Sequence, residues 1–410
     1  MTMPACLGCG APLTRTWVDL GVQPLANSNI VPGADAGPEK TYPLHARVCD
    51  VCLLVQVESV VPPDEIFNDD YAYFSSFSDS WLAHCRAYSE AMTERLRLGP
   101  DSRVVEIASN DGYLLQYFAA AGIPVLGVEP SANTARAAIA KGIPTDISFF
   151  GRATAERLVG EGHAADLIAA KNVLAHVPDI NDFVAGVAML LKPEGVFTVE
   201  FPHLLRTIEG VQFDTIYHEH FTYLSLLAVE TVFARADLRV FEVEEHATHG
   251  GSLRVFACRA GATHAEGPGV ARVRAAEVAA QLDRPEGYAG FDERCRAVRA
   301  GLLAFLETAR AEGRSVAGYG AAAKGNTLLN YCGADATTLD FIADRSPAKQ
   351  GRLAPGSHIP IVAPEAIFER RPDYVLILPW NLRREVTGQL AAIRDWGGRF
   401  VTAIPALAVD

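Results

Sequence analysis

The sequence predicts an α/β protein with a small cysteine-bearing module ahead of two doubly wound, Rossmann-like domains. Three observations carry this. Two C-x-x-C pairs, Cys6/Cys9 and Cys49/Cys52, stand about forty residues apart near the N-terminus. Apolar runs at 103–107, 125–128, 167–170 and 196–201 alternate with longer helical stretches. A second such series occupies 314–319, 339–343, 361–362, 374–378 and 399–403. Short strands spaced by helices read as βαβ units and hence as parallel sheets.

Length and composition agree. A chain of 410 residues suits two to three domains, and 49% hydrophobic against 21% charged residues excludes a disordered chain. No apolar run approaches the ~20 residues of a membrane span. The first residues lack a basic patch followed by an apolar core, so no secretory signal is expected and the location expected is cytoplasmic. A net charge of −13 argues against a general nucleic-acid binder. Oligomeric state is not legible.

Residues 1–65 are expected to form the first module, with short strands at 44–47 and 53–57. Its four cysteines fit a tetrahedral thiolate zinc site, each C-x-x-C supplying two ligands. Four thiolates leave no open coordination position, so the zinc is structural. The alternatives are two disulfides or a redox C-x-x-C, which a reducing compartment disfavours.

Residues 66–245 are expected to be the first Rossmann-like domain. The aromatic and serine-rich stretch 71–78, with Tyr73 and Ser76, leads into a helix over 79–98. The strand ending at Glu106 runs into Ala108-Ser109-Asn110-Asp111-Gly112, a small-residue turn that lets backbone approach a ligand. About twenty residues on, Glu129 ends the next strand, where a carboxylate accepts from ribose hydroxyls. Ala108 and Asn110 stand where a dinucleotide fingerprint carries glycine, so an adenosine ligand without a pyrophosphate fits better: S-adenosylmethionine. Its expected contacts are Glu106, Ser109, Asn110, Gly112, Glu129, Asn172, Tyr73 and Ser76.

The densest titratable cluster is Tyr217-His218-Glu219-His220, which follows the strand at 196–201. A histidine beside a carboxylate and a phenol suits a general base with orienting groups. A metal site and a purely structural pair of histidines are the alternatives. Tyr217 and His220 share a face on a helical turn, whereas His218 and His220 share one on a strand. His249 lies in a further turn, and His176 is expected near the same cavity.

Residues 246–410 are expected to be the second Rossmann-like domain. The loop Gly318-Tyr319-Gly320-Ala321-Ala322-Ala323-Lys324-Gly325-Asn326 follows a strand and opens a helix. It misses the Walker register, yet small residues and one lysine at a helix start suit a diphosphate. The chain has only six lysines, which draws attention to Lys324. Asp344 and Arg345 end the next strand and are placed to read the nucleoside. Tyr319, Lys324, Asn326, Asp344, Arg345 and His249 form the expected substrate set.

Taken in order, these motifs resemble the sugar C-methyltransferase family of deoxysugar and antibiotic biosynthesis, including 3-C-methyltransferases of TDP-4-keto-deoxyhexoses. The stretches 19–27, 106–112, 172–178, 217–225, 249–256, 318–330 and 378–381 carry the resemblance together with the cysteine pairs, from residue 6 to about 405. Ala322 stands where many members carry proline. The resemblance implies a zinc-bearing N-terminal domain, a central S-adenosylmethionine domain and a C-terminal sugar-nucleotide domain. It implies His220 as general base, with Tyr217 and Glu219 close to the sugar and His176 nearby. A ketone makes the adjacent carbon acidic, so this base chemistry needs no metal. An NAD-dependent oxidoreductase or epimerase would show a full glycine fingerprint and commonly a Tyr-x-x-x-Lys pair, and neither is present. A non-catalytic sugar-nucleotide scaffold would need neither the 217–220 cluster nor an adenosine site.

Overall fold

The structure, a computed structural model, describes residues 3–33, 38–58, 61–62 and 74–410. Tyr73 and much of the 66–78 stretch lie outside these residues. Among them are three sheets.

The N-terminal sheet is antiparallel. Arg15–Pro24 pairs with Thr41–Val48, which pairs with Val55–Val57. Its fourth strand, Thr222–Tyr223, comes from the middle of the chain and directly follows the 217–220 cluster. Trp17 on this sheet stacks on Phe291, with ring centroids 4.2 Å apart and an interplanar angle of 9°. Such a pair is worth about 0.5–1.5 kcal/mol beyond its buried area. Phe291 opens the helix Phe291–Ala311, whose buried Cys295, Val298, Leu302 and Leu306 recur at helical spacing. One core therefore runs from Trp17 through Phe213 and Tyr223 to Leu302 and Leu328. The module is built into the body of the protein.

The seven-stranded sheet has the order Leu238–His246, Ser252–Arg259, Leu191–Pro202, Ala165–Lys171, Val104–Ile107, Val125–Val128, Thr145–Asp146. The last five are mutually parallel, and the first two form an antiparallel hairpin against Leu191–Pro202. Wholly buried runs such as Val104–Ile107 and Val125–Val128 suit a sheet covered on both faces. This sheet runs past residue 245, the limit expected for the domain. His249-Gly250-Gly251 is the turn of its hairpin. Ser78 caps the helix Asp79–Leu96, its hydroxyl accepting from the Trp81 N–H.

The third sheet has the order Ile361–Val362, Ile342–Ala343, Val316–Tyr319, Tyr374–Ile377, Arg399–Thr402, all parallel, closed by the antiparallel Ala408–Val409. The helical stretch between the two α/β units resolves into Pro268–Ala279 and Phe291–Ala311. From the first of these the buried Glu277 accepts the N–H groups of Leu226 and Leu227 at 2.6 and 2.9 Å and pairs with His203 at 2.7 Å. That carboxylate satisfies the N–H groups that a helix start leaves unpaired.

Candidate active site

A cleft of about 1200 Å³ opens where the carboxyl ends of the two parallel sheets face each other. That is more than a single drug-sized ligand needs. One end is lined by Ala108, Asn110, Tyr113, Glu129 and Pro130, the other by Asn27, Lys324, Lys349 and Arg352. Asn172, His176, Tyr217, Glu219, His220 and His249 also line it.

The adenosine end follows from strand geometry. Ala108 and Asn110 adopt positive φ (58° and 49°), turning the chain sharply after Val104–Ile107. Glu129 braces that turn: its carboxylate accepts the N–H groups of Asn110 and Ser131, each at 2.9 Å. Each oxygen keeps a further lone pair for a ligand hydroxyl. The buried Oδ1 of Asn172 has no protein partner, while its amide lies 3.1 Å from His249 Nε2. A braced carboxylate and a buried acceptor in one cleft fit the ribose and ammonium of S-adenosylmethionine.

The other expected cofactor contacts lie behind this wall. Glu106 is fully buried below the cleft, with Tyr113 and Lys171 beside it, and burial raises its pKa well above the usual carboxylate range. Ser109 is buried against Gly127, where an added Cβ would meet its hydroxyl at 2.3 Å. Gly112, with φ of 77°, packs on Ile143. The Ser76 hydroxyl bonds the Asp111 carboxylate, and the Ser75 N–H donates to Asn110 Oδ1 at 3.0 Å. Glu106, Ser109, Gly112 and Ser76 shape the turn and are not among those lining the cleft.

The titratable cluster closes into a loop held at both ends. His220 Nδ1 lies 3.0 Å from the Thr215 carbonyl, and Tyr217 Oη lies 2.9 Å from Nε2. A carbonyl only accepts, so Nδ1 carries the proton and Nε2 is the basic nitrogen. His176 Nδ1 donates likewise to the Glu219 carbonyl at 2.7 Å, and its ring meets His220 edge-on at 4.6 Å. Burial, with the His176 charge second, depresses His220 well below the usual histidine range, and burial brings His176 down to about 4. Both imidazoles are therefore neutral at pH 7. Burial pushes Glu219 up to about 7 despite the hydrogen bond from Asn27. His218 points elsewhere, toward the carbonyls of Tyr42 and Pro43 at 3.3 and 3.2 Å. The shared helical-turn face of Tyr217 and His220 is the one realised.

The C-terminal set is divided. Lys324 and His249 reach the cleft, whereas Tyr319, Asn326, Asp344 and Arg345 are not among its lining residues. The Tyr319 hydroxyl donates to Gln389 at 3.3 Å, and the Asn326 amide donates to the Ala26 carbonyl at 2.7 Å. Asp344 accepts the N–H groups of Ala321 and Ser346, both at 2.7 Å, and Arg345 is exposed. Sequence reasoning missed Lys349 and Arg352. The signal was a cluster of basic residues in the loop that follows the strand Ile342–Ala343.

At the N-terminus the sulfurs of Cys6, Cys9, Cys49 and Cys52 all lie within 4.8 Å of one another. Cys6 and Cys52 are 3.5 Å apart, as are Cys9 and Cys49, too far for disulfides. The Gln56 amide and the Val51 N–H point at Cys6 and Cys49 sulfurs from 3.2 and 3.4 Å. This donor set fits zinc, with outer hydrogen bonds to the thiolates.

Family models match a zinc binding domain at residues 6–67, a methyltransferase domain at 82–243 and a C-methyltransferase C-terminal domain at 247–405. The C-methyltransferase NovU of Streptomyces niveus is 38% identical over 98% of this chain and 95% of its own length. The chain belongs to this C-methyltransferase family. It is an S-adenosylmethionine-dependent C-methyltransferase with a zinc site. Ubiquinone biosynthesis O-methyltransferase of Bartonella quintana is 33% identical over 24% of this chain and 40% of its own length. Among solved structures, the magnesium protoporphyrin IX methyltransferase of Synechocystis PCC 6803, with bound S-adenosylmethionine, matches 50% of this chain and all of its own, with 14% identity and a TM-score of 0.36. Membership leaves the oxidoreductase and scaffold readings without support. No helix among the described residues is long and apolar enough to cross a membrane.

Proposed function

We propose that this C-methyltransferase acts on a nucleotide-linked 4-keto-deoxysugar, with TDP as the nucleotide, and methylates a carbon next to the ketone in deoxysugar and antibiotic biosynthesis in the cytoplasm. The observation that carries this reading is His220: a neutral imidazole whose tautomer is set by the Thr215 carbonyl, in a cleft with an adenosine-type end and a cationic end. Carbon methylation needs a carbanion, and a C–H becomes acidic enough for a histidine beside a carbonyl.

S-adenosylmethionine supplies an electrophilic methyl on a sulfonium sulfur, which leaves with the electron pair of its old bond. Glu129 and Asn172 would hold it, with Asn110 in the turn beneath and Tyr113 beside it. His220 Nε2 takes the proton from the carbon, and the bond pair moves toward the ketone oxygen. Tyr217, hydrogen-bonded to His220 in the structure, donates to that oxygen. His176 holds Glu219, and so the loop, through its carbonyl. Glu219, with an ionisation near 7, takes or returns a second proton at the sugar. Lys349 and Arg352 supply positive charge for the diphosphate.

The test is incubation with S-adenosylmethionine and a panel of TDP-4-keto-deoxysugars, followed by fragmentation mass spectrometry. A gain of one methylene on a ring carbon next to the ketone supports the reading. A methyl on oxygen or nitrogen, or no gain on any ketone of the panel, contradicts it.

A further inference from the structure

We propose that Lys324 is the cation that faces the oxygen gaining charge when the substrate is deprotonated, and that it does not bind the diphosphate. This rests on the ketone reading of the site.

A phosphate cradle needs free backbone N–H groups, and the two at the start of this loop, those of Gly320 and Ala321, are engaged within the chain. The Gly320 N–H donates to the Ala343 carbonyl at 2.8 Å, and the Ala321 N–H to the Asp344 carboxylate at 2.7 Å. The glycines have another cause. A Cβ on Gly320 would meet Pro379 Cδ at 2.6 Å, and one on Gly325 would meet Leu378 Cβ at 2.8 Å. Small residues here let the chain at 378–381 close onto the loop.

That closure places Lys324. Its Nζ lies 2.9 Å from Asn381 Oδ1 and 4.8 Å from the centroid of the Trp380 ring. The Trp380 indole N–H donates to Asp214 at 2.8 Å. Asp214 belongs to the turn Phe213–Thr215, whose Thr215 carbonyl fixes the tautomer of His220. The ammonium and the base are thus held by one connected set of contacts reaching from the C-terminal domain to the catalytic loop. Lys324 adds to the depression of His220 and His249, so its charge is felt at both rings. Asp214 opposes the burial that lowers the pKa of Lys324. Asn381 engages one of three N–H bonds.

In the step itself the C–H bond breaks, its proton goes to His220 Nε2, its electron pair forms the C=C bond, and the carbonyl π pair settles on oxygen. A fixed, half-buried ammonium stabilises that oxygen more than it stabilises the ketone, which is where a gain in rate arises.

The test compares wild type, Lys324→Met and Lys324→Arg by kcat of methyl transfer at saturating substrates and by the Kd of thymidine diphosphate, with circular dichroism confirming the fold. The expected result is a fall in kcat of about 10²–10³-fold for Met, the range for losing one such donor. The Kd of thymidine diphosphate should stay within threefold, and Arg should recover part of the loss. A Kd that rises tenfold or more with kcat preserved overturns the inference in favour of a diphosphate ligand. A kcat within threefold of wild type also overturns it. If Met fails to fold, Arg decides by the same two numbers. A wild type that methylates no 4-keto sugar overturns the ketone reading itself, and this inference with it.

Discussion

The side-chain amide of Asn27 lies 2.8 Å from both carboxylate oxygens of Glu219, across 192 residues of sequence. A residue just past the strand Arg15–Pro24 thus braces the carboxylate next to the proposed base. An N–H donor favours the ionised form, so removing it raises the pKa further from about 7. Glu219→Gln should abolish an ionisation near pH 7 in the pH dependence of kcat, and Asn27→Leu should move it to higher pH. An unchanged profile in both variants would remove Glu219 from the reaction.

The zinc module supplies Asn27 and, in Trp17, part of the common core. Loss of zinc should therefore act at a distance on catalysis. Cys49→Ser should reduce zinc content below one per chain, lower the melting temperature and reduce turnover, as read by metal analysis and calorimetry. Full activity in a zinc-free protein would contradict a structural role.

Glu129 holds the cofactor turn from below and keeps lone pairs for hydroxyls. Glu129→Ala removes charge-assisted hydrogen bonds worth roughly 1.5–3 kcal/mol each. The affinity for S-adenosylhomocysteine should fall about 10–100-fold by titration calorimetry, with thymidine diphosphate affinity unchanged.

Behind the cleft, the buried Glu200 pairs with Lys171 and accepts from Arg254 at 2.7 Å and His84 at 2.9 Å. Lys171 also lies 4.0 Å from the Tyr88 ring centroid. Glu200→Ala would leave the buried Lys171 without its anion and Arg254 with Glu244 alone, costing about 3–5 kcal/mol of stability. Chemical denaturation measures this directly. A loss under 1 kcal/mol would mean water reaches the network.

The parallel strands were readable because buried βαβ strands are short apolar runs, and 361–362 coincides with the strand Ile361–Val362. The hairpin of Leu238–His246 and Ser252–Arg259 was not, because the His249-Gly-Gly turn that joins it reads equally as a break. Nor does local pattern announce that Thr222–Tyr223 completes a sheet begun at Arg15. At the site, the fold brings together residues singled out by their side-chain chemistry: Glu129, Tyr217 and His220 line one cleft, and the four cysteines cluster. Ser109 and Gly112 do not line the cleft, and a tight turn looks the same in sequence whether its small residues serve a ligand or packing. Lys349 and Arg352 went unnoticed because a cluster of basic residues in a loop reads as solvated charge until the fold brings it to the mouth of a cleft.

The most direct measurement is deuterium incorporation next to the ketone of a TDP-4-keto-deoxysugar in heavy water, with S-adenosylhomocysteine bound so that no methyl is transferred. The account predicts exchange by wild type, and at least a hundredfold slower exchange by His220→Asn with unchanged affinity for S-adenosylhomocysteine. Exchange at the wild-type rate in His220→Asn would contradict it.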